Sequence, residues 1–334
     1  MADDRRHPDR AWLSDTIDSL GRWLAMPSST PTSQVTGGGA VTAAERGLSD
    51  LVRGRDVTLV PSATYGMRAL LVALGVAPGD EVLVPRFDWP ATVAAVRSVG
   101  ADAIPVDVTP ATLTIDPLAA AAKRGPRTRA VVACHPFGIP ADVPGLRGAL
   151  PGIPVIEDAA QALGSTLGGV PVGALGDAAV LSMGPGKHPL DVGEAGAVVV
   201  RDDTLADAVL RITAHPARQR ISGVDDVAFG EFSMRVHPLA AVLLAVALDD
   251  LDPATERRGH RELVDDLAGR VTVLGADDRR GIASPFAVVD GVAAALPGFA
   301  SAPAELLDVE ALLAGERTSR RVTVFARSIE NERR

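Results

Sequence analysis

Residues 154–187 read PVIEDAAQALGSTLGGVPVGALGDAAVLSMGPGK. The stretch opens on a short apolar run ending in Glu157 and Asp158. It closes on a second apolar run, AAVLSM (178–183), and a glycine–proline loop that holds Lys187. Short, nearly continuous apolar runs followed by polar residues mark strands buried on both faces of a sheet. Outward from these two runs the alternation repeats. VTLV (57–60) leads into helical TYGMRALLVALG (64–75), and EVLVP (81–85) leads into WPATVAAVRSVG (89–100). AIPVDV (103–108) precedes DPLAAAAKRG (116–125), RAVVAC (129–134) precedes DVPGLRGAL (142–150), and GAVVV (196–200) completes the set. The pattern predicts an α/β fold, a parallel central sheet flanked by helices on both faces.

Composition bounds the rest. The chain has 334 residues, 47% of them hydrophobic, which suggests a large domain with a smaller one attached. A net charge of −9 argues against nucleic acid or an anionic membrane as the main partner. A single cysteine, Cys134, excludes an intrachain disulfide and fits a reducing cytoplasm. The opening MADDRRHPDR lacks the apolar core of a secretory signal. The longest apolar block, LAAVLLAVAL (239–248), is far short of a membrane span and reads as a buried helix, in the core or at an interface. PSSTPTSQVTGGG (27–39) reads as a loop between an N-terminal helix and the main domain. RVTVLG (270–275), PFAVVDG (285–291) and RRVTVFARS (320–328) read as strands of a small second layer. The expected division is therefore 1–36, a helix and loop; 37–251, the large domain; and 252–334, a small C-terminal α/β domain.

In open α/β sheets the ligand lies beyond the carboxyl ends of the strands. PSATYG (61–66) follows the first strand there, and its small residues let backbone N–H groups approach a phosphate at a helix N-terminus. Taken alone, Ser62 or Thr64 serves equally as an ordinary helix cap. Glu157 and Asp158 end another strand, where a buried acid needs a cation or hydrogen-bond donors, or caps a helix. Trp89, taken alone, suits the core. Lys187 is more pointed, because Lys123 is the only other lysine. Arginine holds its charge, whereas lysine can become a neutral amine and form a Schiff base. A Walker phosphate loop fails here, since Leu181 stands where glycine is required and His188 follows the lysine.

A phosphate-cradling turn, an aromatic, a strand-end acid and a later lysine, in that order, suit pyridoxal 5′-phosphate. At these residues the chain resembles the DegT/StrS-type aminotransferases, pyridoxal-phosphate enzymes of fold type I acting mostly on nucleotide-linked keto sugars. GDEVLVPRFDWPAT (79–92) is similar to the family's G-D-E-V-I-V-P-x-F-T-[FW]-x-A-T, and residues 154–187 give the strongest likeness. VGEAGAVVV (192–200) resembles its G-E-G-G strand, and SMRVHPLAA (233–241) a later N-x-R-M-x-x-L-x-A-A stretch. The resemblance runs from about Gly37 to Leu251.

The resemblance implies roles. Ser62, Ala63 and Thr64 would contact the phosphate, with Ser182 beside them, and Trp89 would stack on the cofactor ring. Asp158 would hold the pyridine nitrogen, Gln161 would lie beside the ring oxygen, and Lys187 would carry the Schiff base. Ser233 would reach the phosphate of a partner subunit, giving a homodimer with shared sites. The expected activity is amino transfer from an amino-acid donor, glutamate or glutamine, to a keto sugar or other small keto intermediate of biosynthesis. Dehydration, aromatisation or epimerisation on the same scaffold is the alternative, as is a non-catalytic regulatory homologue, against which the pair Asp158 and Lys187 weighs. Four departures stand out. The segment from Lys187 to Glu194 is about one residue longer than the usual pattern, Ser233 replaces asparagine, Tyr65 follows the phosphate turn where a small residue is common, and the C-terminal domain is shortened.

Overall fold

The structure is a computed structural model that describes residues 35–228, 234–291, 296–297 and 299–327, with Asp18, Gly21 and Ala25. The first strands are β1 (Asp56–Val60), β2 (Glu81–Pro85), β3 (Phe87–Asp88), β4 (Asp102–Val106) and β5 (Thr128–Cys134). They are followed by β6 (Val155–Asp158), β7 (Thr166–Leu167), β8 (Val170–Pro171), β9 (Ala178–Ser182) and β10 (Gly196–Val200). The C-terminal part adds β11 (Arg280–Gly281), β12 (Ala287–Asp290), β13 (Phe299–Asp308) and β14 (Ser319–Arg327).

A seven-stranded central sheet has the order β1-β10-β9-β6-β5-β2-β4. From β4 to β9 neighbouring strands are parallel. β10 runs against both β9 and β1, so GAVVV is the one reversed strand of an otherwise parallel sheet. The physical reason is the connection. Residues 183–195 contain no helix to carry a crossover, so the chain turns back beside the strand it has just left.

Both faces of the sheet are buried, which explains the continuous apolar runs. Ala178 and Val180 face helices Ala63–Ala73, Pro90–Ser98 and Asp203–Thr213 through Met67, Leu70, Val93 and Val209. Ala179 and Leu181 face helices Ala40–Leu51 and Pro238–Asp249 through Leu48 and Leu244. The LAAVLLAVAL block is thus a helix whose Ala240, Ala241, Val242 and Leu244 are buried, while Leu239 is 40% exposed. Among the described residues no helix is long and apolar enough to cross a membrane.

The C-terminal part is stitched to the central one by two small sheets. β11 pairs with β7, and the order β12-β14-β13-β3 places Leu307 opposite Asp88. PFAVVDG and RRVTVFARS contain strands as expected. RVTVLG does not, although it runs beside β12, an edge strand of that sheet. Leu274 donates one backbone bond to Val288, Gly275 donates to Ala111, and the rest is irregular. The longest strand of this sheet, β13, is absent from the sequence reading.

Candidate active site

The parallel strands and β1 all end at one edge of the sheet, and the residues that follow them enclose a cavity of about 390 Å³. β1 delivers Ser62, Ala63 and Thr64; β3 delivers Asp88 and Trp89; β5 delivers Cys134 and His135; β6 delivers Asp158 and, a turn later, Gln161. β9 and its loop bring Ser182, Gly184 and Lys187, and Glu194 enters just before β10. From the C-terminal part, β13 contributes Ala304, Glu305 and Leu306. Eight of the nine residues expected from the sequence line this cavity: Ser62, Ala63, Thr64, Trp89, Asp158, Gln161, Ser182 and Lys187. Ser233 lies outside the described residues.

Ser62 is the extended N-cap of helix Ala63–Ala73, and its hydroxyl accepts from Tyr65 N–H at 3.4 Å. The cap is compatible with a phosphate turn, since Ser62, Ala63 and Thr64 line the cavity and the first N–H groups of a helix have no intrahelical partner. Gly196 makes this packing possible. A Cβ there would lie 2.3 Å from the Ser62 carbonyl carbon and 2.5 Å from Ala63 N. Trp89 is 61% exposed at the rim, so its ring face is open. Gln161 Oε1 accepts from Phe137 N–H at 2.7 Å, which leaves the amide nitrogen to a ligand and holds Phe137 in the left-handed region at φ 54°.

Asp158 is oriented from two sides. Its Oδ1 accepts from Ala160 N–H at 3.1 Å and its Oδ2 from the Thr92 hydroxyl at 3.2 Å. The preceding residue, Glu157, is fully buried and does different work. It accepts from Gly173, Leu175 and Gly176 N–H at 2.9, 2.9 and 2.7 Å. His135 Nε2 lies 3.0 Å from it, and His135 Nδ1 accepts from Ala141 N–H, so the imidazole proton sits on Nε2 and points at Glu157. That network fixes the floor from which Asp158 projects.

The lysine loop is braced at three points. Asp191 accepts from Gly186 and Gly193 N–H, and Lys187 N–H bonds Gly184 O. His188 Nε2 meets Glu256 Oε2 at 2.7 Å, which ties the loop to helix Pro253–Leu267. The hydrogen bond from His188 holds the Glu256 carboxyl below its usual range. Among the described residues lining the cavity, Lys187 is the only lysine or arginine, against the carboxyls of Asp88, Asp158, Glu194 and Glu305. Burial and then the Asp158 charge push Asp88 up to about 7, and burial pushes the Cys134 thiol up as well.

Sequence reasoning missed Asp88, Thr92, Cys134, His135 and Glu305. A signal existed for Asp88, which stands where the family pattern has threonine. None existed for Glu305, whose strand was not read.

Fold and site together define an α/β protein with a lysine–aspartate cavity at the carboxyl edge of its sheet. The sequence profile of the DegT/DnrJ/EryC1/StrS aminotransferase family matches residues 25–268, and the chain belongs to that family. It is 37% identical over 227 residues to L-glutamine:scyllo-inosose aminotransferase of Streptomyces griseus, covering 65% of this chain and 53% of that one. It is 36% identical over 211 residues to dTDP-3-amino-3,4,6-trideoxy-alpha-D-glucose transaminase of Streptomyces venezuelae, covering 61% and 55%. The chain thus spans about half the length of these curated relatives. The crystal structure of 3-amino-5-hydroxybenzoic acid synthase superposes with a TM-score of 0.71 at 28% identity, covering 85% of this chain and 74% of that one.

Proposed function

We propose that this chain binds pyridoxal 5′-phosphate in the cavity and transfers an amino group from glutamate or glutamine to a keto sugar or another small keto intermediate of biosynthesis. The observation that carries the reading is the convergence of Lys187, Asp158 and the helix N-terminus at Ser62–Thr64 on one cavity. The donor set fits the cofactor. N–H groups and the hydroxyls of Ser62, Thr64 and Ser182 suit a phosphate, an open indole suits a flat ring, and an oriented carboxylate suits a protonated ring nitrogen. When bound, the cofactor supplies an electron-accepting ring that stabilises negative charge at a substrate carbon. Lys187 would hold the cofactor covalently, and its amine is the group that would move a proton at the substrate α-carbon. Asp158 would keep the ring nitrogen charged, Trp89 would cover a ring face, and Gln161 would offer its amide N–H to the ring oxygen.

A homodimer with shared sites belongs to this reading. Its support is the exposed Leu239 on an otherwise apolar helix directly after the segment 233–238, which holds Ser233 and Arg235. The division at about residue 251 belongs to it too, with the C-terminal part reaching the site through β13. So does a reducing cytoplasm, on the single cysteine. Two kinds of acceptor have precedent among the relatives' names, an inosose and a nucleotide-linked sugar, and the acceptor here is of that polyhydroxylated ketone class.

The test is amino-donor half-reaction spectroscopy with a panel of amino acids. Glutamate or glutamine should convert the absorbance of the bound cofactor with release of the matching keto acid. Borohydride reduction and peptide mapping should place the cofactor on the peptide holding Lys187. Label on Lys123, or none, removes the assignment.

A further inference from the structure

Two segments of the cavity carry the groups on which the proposed chemistry turns, and one helix bonds both. Residues 183–195, the lysine loop, contain neither helix nor strand. Lys187 N–H bonds Gly184 O, Val192 N–H bonds Met183 O, and Asp191 accepts from Gly186 and Gly193. These bonds tie the loop to itself. Leu190 is buried in the core and anchors its far side. Between Gly184 and Leu190, among the described residues, one side chain bonds an element other than the loop. It belongs to His188, the neighbour of Lys187, whose Nε2 meets Glu256 Oε2 at 2.7 Å. An ionised carboxylate can only accept, so the His188 proton sits on Nε2. Both side chains are partly buried, which shields the bond from water.

The next residue of that helix reaches the other segment. Glu256 stands in the first turn of helix Pro253–Leu267, and Arg257 follows it. Arg257 Nη1 donates to Gly164 O at 2.6 Å. Gly164 ends the run of turns that leaves Asp158 and carries Gln161. Pro253 packs against the same glycine, where a Cβ would lie 3.1 Å from Pro253 Cβ. The helix is itself held from behind. Leu263 and Leu267 are buried with Ala287, Val289 and Phe325 of the C-terminal sheet, and His260 Nδ1 donates to Ser284 O at 3.0 Å. Two consecutive residues of one anchored helix thus hold the lysine loop and the segment of Asp158 and Gln161.

We propose that Glu256 is a positioning residue for Lys187: through His188 it fixes the lysine loop to the helix turn that, through Arg257, also fixes the segment of Asp158 and Gln161. The two bonds together set the place of the amine against the carboxylate. The consequence for amino transfer rests on the cofactor reading above; the placement of the amine does not. A misplacement of about 1 Å, even one caused far from the reacting atoms, can cost a rate about 10²-fold, so such a bracket bears directly on turnover.

The experiment uses the full chain with Glu256→Ala, Glu256→Gln, His188→Ala and the double Ala variant. Leu263→Ala is the control, a destabilising change in the same helix on the side facing the C-terminal sheet. Lys187 and the exposed Lys123 are the only lysines, so Lys123 is an internal reference. Cofactor-free protein is treated briefly with an amine-reactive reagent and mapped by peptide. Labelling of Lys187 relative to Lys123 should rise severalfold in Glu256→Ala and His188→Ala and no further in the double variant, because both cut one bond. Glu256→Gln, whose amide oxygen still accepts from His188, should stay close to wild type, as should Leu263→Ala. With pyridoxal phosphate added, the amino-donor half-reaction of Glu256→Ala should slow by up to about 10²-fold while the donor KM stays within about twofold. An unchanged labelling ratio in the single Ala variants, or an equal rise in Leu263→Ala, would overturn the proposal. Should Glu256→Ala fail to fold, His188→Ala cuts the same bond from the loop side and carries the comparison. Absence of a bound chromophore in wild type would sink the cofactor reading while leaving the labelling ratio decisive for Glu256.

Discussion

Glu157 offers the sharpest stability prediction. Removing its side chain in Glu157→Ala strands the N–H groups of Gly173, Leu175 and Gly176 and the His135 Nε2–H, all in the interior. An unsatisfied buried donor costs about 1–3 kcal/mol. Four of them at the lower limit give a loss of roughly 4 kcal/mol, a large share of the ~5–15 kcal/mol that holds a typical domain together. Glu157→Gln is the informative partner. Its amide oxygen still accepts from two donors, but its N–H₂ faces the others, so about half the loss, roughly 2 kcal/mol, should remain.

The assay is urea unfolding of cofactor-free protein, read by tryptophan fluorescence and far-UV dichroism, with melting temperature as a second scale. A loss of about 4 kcal/mol corresponds to a drop of roughly 8–16 °C for a domain of this size. The order wild type, Gln, Ala should hold on both scales. If Glu157→Ala stayed within about 1 kcal/mol of wild type, the four bonds would not be the support of the 173–176 turn, and the floor beneath Asp158 would need another explanation.

Three further outcomes follow from the same geometry. Asp158→Asn, which can still accept from Ala160 N–H, should retain cofactor but lose turnover by several orders of magnitude in steady-state assays; near-normal rates would reduce Asp158 to a helix cap. Glu256→Gln should lower the melting temperature near neutral pH. Because the Glu256 carboxyl is depressed in the folded state, the pair's contribution is present above its unfolded value and fades as pH falls through the folded one. The two melting curves should therefore converge in acid, and a difference independent of pH would count against the His188 contact. Gly196→Ala would drive a methyl into the Ser62–Ala63 backbone, costing about 1–3 kcal/mol, and should weaken cofactor retention in equilibrium dialysis more than an equally destabilising core substitution.

Much of this was legible because the governing physics is local. Strands buried on both faces must be apolar at every position, so β1, β2, β5, β6 and β9 announce themselves. Ligand residues in such sheets follow strand ends, which is why Ser62, Asp158 and Lys187 could be named before their cavity was seen. What escaped depended on partners distant in sequence. An apolar run carries no direction, so the reversal of β10 is invisible in GAVVV. RVTVLG alternates like a strand yet donates a single backbone bond to the edge strand β12, whereas FASAPAELLD has weak alternation and a proline yet becomes β13, because β14 lies beside it along nine residue pairs.

The pairing of β13 with β3 has a consequence for specificity. Leu307 sits opposite Asp88, one residue before Trp89, so the strand that brings Glu305 to the cavity is bonded to the segment that positions the aromatic rim. Ala304, Glu305 and Leu306 thus line the cavity from the C-terminal part. On the proposed function, residues at the strand ends of the central sheet would hold the cofactor. On the same proposed function, selection among acceptors would fall to β13, where Glu305 places a carboxylate able to accept hydrogen bonds from hydroxyl groups. Shortening or shifting that strand should therefore change which acceptor is used while leaving the amino-donor half-reaction intact, and acceptor-panel kinetics of Glu305→Gln is the measurement that separates the two.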